Sequence, residues 1–271
     1  MINQGSIKEF LNCPLDFHLI NAFEEVADYG RHFVLPFNVL AYRKKPDVCS
    51  GHKEWGYILN KATGERYDIQ PDEIHFIPYG LPIFIRNVPN TIGYSLHFTL
   101  EQYPGADLFR GERRIIRLSG VSDQTDFEAV FREKDPLRSY CLAESLVFRL
   151  CAEILPAEPG NTPWRFAALL HEVRQEIDAR WNVELLARKA GMSTGAFSRE
   201  FSAHMECTAK DFLQNELLQK ALLLLRKPGA TVQNTAERLH FSSPFYFSKF
   251  FKRRYGIAPQ EYIHRYSLPP V

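Results

Sequence analysis

The chain has few cysteines, almost no net charge and no long apolar run, and each shortage removes a class of protein. Cys13, Cys49, Cys141, Cys151 and Cys207 are odd in number and never fall as CxxC. That argues against a disulfide framework or a zinc site and for a reduced compartment. No apolar stretch approaches the ~18 residues of a membrane span, and the first residues lack a charged-then-apolar signal, so a soluble, cytoplasmic protein is expected. Glycine-rich phosphate loops and nucleophile–base pairs are missing as well. His52, His75 and His97 stand singly, and the expectation is no catalytic site, no cofactor and no metal.

The 271 residues, 45% hydrophobic, suffice for two domains with separate cores. A formal charge of +1 hides an asymmetry. From Trp164 onward there are 16 Lys and Arg against 10 Asp and Glu, a net +6, whereas the preceding part has 17 against 22, a net −5. A basic half is what a phosphate-bearing partner requires.

Within that half, FSSPFYFSKFFKRRYG begins with a serine able to cap a helix and a proline suited to its first turn, Ser243 and Pro244. Phe247, Phe250, Phe251 and Tyr255 then fall at helical spacing and turn inward, leaving Phe245, Ser248, Lys249, Lys252 and Arg253 on another face, and Gly256 and Pro259 end the helix. A shorter helix from about Val232 to Leu239 and a tight turn at His240, Phe241 and Ser242 precede it, which makes a helix-turn-helix unit. About fifty residues earlier the order recurs. Ala187, Met192, Ser193, Phe197, Ser198, Arg199, Phe201 and Phe212 match Ala236, Phe241, Ser242, Phe247, Ser248, Lys249, Phe251 and Tyr262. Between the copies, Ala209 to Arg226 reads as one long helix with an apolar face, a spacer able to set two recognition helices in neighbouring grooves.

With Ala236, Phe241, Ser242, Ser243, Tyr246, Phe247, Ser248, Lys249, Phe251, Lys252, Gly256, Pro259 and Tyr262 in this pattern, the region from about Trp164 to Tyr266 resembles the DNA-binding domain of AraC-type transcriptional regulators. The resemblance implies double-stranded DNA as partner, with RNA polymerase beyond it. Three positions depart from the pattern. His240 stands at the usual turn glycine, Glu206 at the glycine closing the first recognition helix, and Leu217 at a commonly basic position of the spacer. The residues expected to face bases are Gly195, Ser198, Arg199 and Ser202 in the first unit and Pro244, Phe245, Ser248 and Lys249 in the second. Arg199 suits a guanine edge and Phe245 a thymine methyl. Arg188, Lys189, Lys252, Arg253 and Arg254 are expected on the phosphate backbone.

From His32 onward, short apolar stretches alternate with turn signals (FVLPFNVLAYR, WGYILN, RYDI, DEIHFIPYG, LPIFIRNV, IGYSLHFTL), as in an all-β barrel or sandwich, while Met1 to about Arg31 gives no clear element. DEIHFIPYGLPIFI followed by YSLHF is similar to the small cupin-type barrel that AraC-type regulators often use to bind an effector, with Ile83 where such barrels often have a histidine. Tyr42, Trp55, Tyr57, Tyr79, Arg86 and His97 combine apolar bodies with polar tips and are the expected pocket residues, suited to a sugar or another small polar metabolite. Asp123 to Glu133 and Leu137 to Leu155 read as helices. The second carries an apolar stripe that serves either a homodimer seam or packing on its own barrel. PAEPGNTP reads as the linker.

The expected architecture is thus a mostly-β cupin-like barrel with following helices over residues 1–155, a linker over 156–163, and an all-α domain with two helix-turn-helix units over 164–271. The expected function is an effector-controlled, DNA-binding transcriptional regulator, an activator by this reading. The alternatives are a ligand-independent dimeric scaffold that binds DNA and, further off, a cupin-type enzyme.

Overall fold

The structure, a computed structural model, describes residues 15–27, 30–44, 55–88, 91–118, 124–155 and 165–266. The expected linker, Cys13, Cys49 and His52 lie outside these residues. Two domains form, an N-terminal pair of antiparallel sheets followed by two helices and a helical C-terminal domain.

The strands are β1 (Asp16–Ala27), β2 (Gly30–Val34), β3 (Asn38–Arg43), β4 (Gly56–Asn60), β5 (Arg66–Asp68), β6 (Ile74–Ile77), β7 (Pro82–Asn87), β8 (Thr91–Glu101) and β9 (Ile116–Leu118). One sheet has the order β1-β8-β3-β6-β9 and the other β2-β7-β4-β5. The run FVLPFNVLAYR is therefore two strands in different sheets, broken around Pro36, where a ladder donor is missing. Period-two alternation sorts β3 and β8. Leu40, Tyr42, Leu96 and Phe98 pack outward beneath two helices, α1 (Gln124–Arg132) and α2 (Pro136–Ile154), against Phe127, Leu146, Val147 and Leu150. Val39 and Ala41 face the other way, in the cluster that holds Ile58, Ile83 and Ile85 of the second sheet.

The C-terminal domain contains α3 (Ala167–Glu176), α4 (Val183–Lys189), α5 (Thr194–Met205), α6 (Ala209–Leu225), α7 (Val232–Arg238), α8 (Pro244–Tyr255) and α9 (Pro259–Tyr266). The inner-sheet cluster continues into this domain through Phe197, Phe201, Phe212, Leu218, Phe247 and Phe251, so the two domains share one apolar interior. Between them lies α6, which buries Glu216, Leu217 and Gln219 besides its apolar face. The departure at Leu217 has this cause: the position is 7% exposed and part of the core. No helix among the described residues is long and apolar enough to cross a membrane.

Candidate nucleic-acid interface and effector cavity

Both predicted recognition helices form and are capped as their sequences require. Ser193 Oγ accepts from the Ala196 amide and Ser243 Oγ from the Tyr246 amide, each at 3.3 Å. Phe197, Phe201 and Met205 anchor α5, and Phe247, Phe251 and Tyr255 anchor α8. The turn ahead of each helix needs a left-handed residue. Gly191 (φ 68°) serves the first unit, and His240 (φ 55°) serves the second, where glycine would do so without steric cost. The ends reverse the pattern, with Glu206 at φ 51° closing α5 and Gly256 at φ 93° closing α8.

Gly195, Arg199 and Ser202 are exposed along α5 and Ser198 is half-buried. A Cβ at position 195 would lie 3.7 Å from the Arg199 guanidinium, so that group folds back over the glycine one turn earlier. On α8, Pro244, Phe245 and Lys249 are exposed, Phe245 at 70%. The Ser248 hydroxyl is committed within the helix, donating to the Pro244 carbonyl at 2.8 Å. Neither Arg199 nor Lys249 has an ion-pair partner among the described residues.

The expected backbone residues divide. Arg188, Lys252 and Arg253 are exposed. Lys189 pairs with Glu172 and lies 5.6 Å from the Trp181 ring centroid. Arg254 is half-buried, bonded to Asp211 and Asn215 of α6, and so bound to the protein itself. Arg165 holds Glu200 of α5 through two hydrogen bonds, 2.8 and 2.5 Å long, which leaves Arg199 as the uncompensated charge on that helix.

An apolar cavity opens between the sheets and the end of the helical domain. Phe33, Val39, Ile83, Ile85 and His97 line it from the barrel, and Tyr255 at the end of α8, Ile257 in the turn after it, and Arg265 and Tyr266 of α9 close it. Its free interior, about 60 Å³, holds only a few water molecules as the side chains stand. Of the six predicted pocket residues, His97 alone lines it. Tyr42 packs on the outer face of its sheet and donates to Asp72, while Tyr79 lies under Arg110 and accepts from Asn215 of α6. Tyr57 carries Arg66 over its ring, Trp55 packs at the edge of the core and Arg86 is exposed.

Sequence reasoning missed Arg43. It follows Val39 and Ala41 on the inward register of β3, the alternation that would have found it. It is 3% exposed and lines the cavity. Nη2 donates to Asn87 Oδ1 at 2.9 Å, whereas Nε and Nη1 have no partner among the described residues. A Cβ on Gly93 would come within 1.5 Å of Nη1, so glycine on the neighbouring strand makes room for the guanidinium. Across the cavity, Arg31 and Arg265 share Glu261. No group of three or more His, Cys, Asp or Glu that could hold a metal occurs among the described residues.

With this geometry in place, comparison with known proteins agrees on the C-terminal half. A family described as a helix-turn-helix domain matches residues 186–265. The C-terminal region thus carries a helix-turn-helix domain similar to those of HTH-type transcriptional regulators. The HTH-type transcriptional regulator MtrA of Neisseria gonorrhoeae is 31% identical over 102 residues, 36% of this chain and 34% of MtrA. The regulatory protein SoxS of Escherichia coli (strain K12) is 28% identical over 97 residues, 36% of this chain and 91% of SoxS. The match thus spans about a third of MtrA and most of SoxS. The whole fold is similar to ToxT of Vibrio cholerae. An apo variant has a TM-score of 0.67 at 10% identity, covering 93% of this chain and 98% of that one. Wild-type ToxT bound to an unsaturated fatty acid has a TM-score of 0.60 at 10% identity, covering 94% and 98%.

Proposed function

We propose that the protein is a one-component transcriptional regulator whose AraC-type domain reads a two-part operator and whose barrel cavity takes an amphipathic carboxylate as effector. The observation that carries the DNA part is the pair of capped helices presenting Ser198, Arg199 and Ser202, and Phe245 and Lys249, with their cations unpaired. Arg199 is the base reader and Lys252 a phosphate contact. Arg43 carries the effector part: a buried guanidinium with two unpartnered nitrogens in a mostly apolar cavity, whose other cations Arg31 and Arg265 are held by Glu261, suits a carboxylate with an apolar tail. The fatty acid bound by ToxT belongs to that class, and the apolar lining favours it over the sugar that the sequence first brought forward.

Because the cavity is narrow and closed by Tyr255, Ile257 and Tyr266, a ligand enters by displacing the end of α8 and α9 from the barrel. Occupancy is thereby linked to the second recognition helix. A second copy of the chain docks on the face of α2 where Leu137, Phe148 and Leu155 stay exposed. The protein acts in the cytoplasm, beside RNA polymerase.

The test is duplex binding across a randomised operator library, with and without oleate. Arg199→Ala is expected to cost about 1 to 3 kcal/mol and to relax preference at one base pair, and Lys252→Ala to weaken all sequences alike. Arg43→Met is expected to abolish the oleate response and leave binding without oleate intact. Equal loss on matched and mismatched sites in Arg199→Ala removes it as a base reader. An undiminished oleate response in Arg43→Met removes the carboxylate site.

A further inference from the structure

The interface between the domains gathers positive charge that lies away from the base-facing positions and outside the effector cavity. Beside β2 and β7 lies a cleft of about 800 Å³, next to a second hollow of about 280 Å³ with which it shares Val34, Asp211 and Arg254 as lining. Lys61, Arg110 and Arg113 border this cleft from the barrel, and Lys210, Arg253 and Arg254 from the helical domain. Among the described residues that line the two hollows, the carboxylates are Asp211 and Glu206, against these six cations. Asp211 is already engaged by Arg254 at 3.3 Å. Lys61, Arg113, Lys210 and Arg253 are exposed and have no ion-pair partner among the described residues. Three of the cations belong to the half of the chain that is acidic overall, with 22 Asp and Glu against 17 Lys and Arg. Docking the domains thus brings like charges together, at an electrostatic cost that an anion between them would reverse.

We propose that this cleft is a second ligand site, separate from the effector cavity, that takes a compact polyphosphate-bearing small molecule and clamps the two domains together. Its four unneutralised cations match the charge of a di- or polyphosphate, and the guanidiniums supply paired donors of the geometry phosphate oxygens accept. Duplex DNA is not the occupant. The cleft is bordered by the C-terminal ends of α5 and α8, at Glu206 and at Arg253 to Gly256. The residues proposed to meet bases lie at the opposite ends, and Pro244 and Arg253 are about 14 Å apart along the α8 axis. Phe33 and Ile83 form part of both the cleft and the effector cavity, so a ligand in one alters the affinity of the other reciprocally.

The experiment is titration calorimetry of the full chain with sodium pyrophosphate at fixed ionic strength, with sodium sulfate as the comparison anion. One pyrophosphate per chain is expected, bound at least tenfold more tightly than sulfate. Lys61→Gln, Arg113→Gln and Lys210→Gln should each weaken it at least tenfold, and Lys61→Arg should retain it, which separates lost charge from lost fold. Heats no larger than those of sulfate, or variants that bind pyrophosphate as the parent does, overturn the site. So does a uniform loss of duplex affinity in the three Gln variants without pyrophosphate, since the cleft would then carry the DNA backbone. Failure of the parent chain to bind any duplex would remove the regulator reading and leave the pyrophosphate result standing by itself.

Discussion

His97 shows how far one side chain can be read from its letter. It was legible as a strand residue with an apolar body and a polar tip, and it does line the cavity. Its chemistry, however, is set by packing. The ring is 6% exposed and stacks on Phe37 with centroids 4.7 Å apart. Burial, helped by the positive charge of Arg226, holds its pKa down from 6.5 to about 3. The unfolded chain therefore takes up a proton as pH falls below 6.5, and the folded chain does not until about pH 3. Folding loses ~1.4 kcal/mol for each pH unit across that window, or about 2 kcal/mol by pH 5. His75, pushed down to about 4 by burial, contributes with the same sign. Urea unfolding at pH 7.5 and pH 5.0 should therefore show an acid loss that His97→Gln reduces by about 2 kcal/mol without abolishing it. An unchanged loss would mean that the ring accepts a proton in the fold. Arg43, by contrast, shows where local pattern stops: alternation along β3 points it inward, but the space that admits its guanidinium lies on a neighbouring strand, at Gly93.

Elements whose ends carry their own chemistry were legible. Ser243 and Pro244 start α8 and Gly256 ends it, at the positions their side chains predict. Elements defined by partners were not. In β1 the register on β8 shifts between Leu19 and Asn21, and Asn21 is a buried polar residue, so the alternation that marks a strand is interrupted. The short β2 is visible only through its pairing with β7. Pro259, read as a stop, instead opens α9, since proline tolerates a first helical position as readily as it ends a helix. The cap at Ser243 can be weighed directly. Ser243→Ala removes the acceptor for the Tyr246 amide and should lower stability by about 1 kcal/mol. The neighbouring exposed Ser242→Ala, with no capping role, should change it by less than about 0.5 kcal/mol. Equal effects in thermal or urea unfolding would show that the serine at 243 acts otherwise than as a cap.

At the scale of the whole molecule, the two domains meet through packed side chains, and a buried charge cluster is the clearest case. Arg174 of α3 forms two parallel bonds to Glu216 of α6, at 2.8 and 2.9 Å, and a third to Glu101 at the end of β8. Glu101 is fully buried, and its other oxygen accepts from the Gly105 amide at 3.2 Å. Burial pushes the Glu101 carboxyl up to about 7, and the Arg174 charge opposes the shift. The arginine thus makes a barrel carboxylate tolerable inside an interface with the helical domain. Such a triad adds little net stability over an apolar core, but removing one member leaves charge buried without compensation. Arg174→Met should therefore cost about 3 to 5 kcal/mol at pH 8. The loss should shrink as pH falls toward 5.5. With the cation gone, Glu101 holds a proton in the fold at pH values where the unfolded chain has released it, so stability falls as pH rises. Adding Glu101→Gln to Arg174→Met should recover part of the loss at pH 8 and flatten that slope. If Arg174→Met instead costs under about 1 kcal/mol, with no dependence on pH, water reaches the cluster and the charges do not hold the barrel to the helical domain.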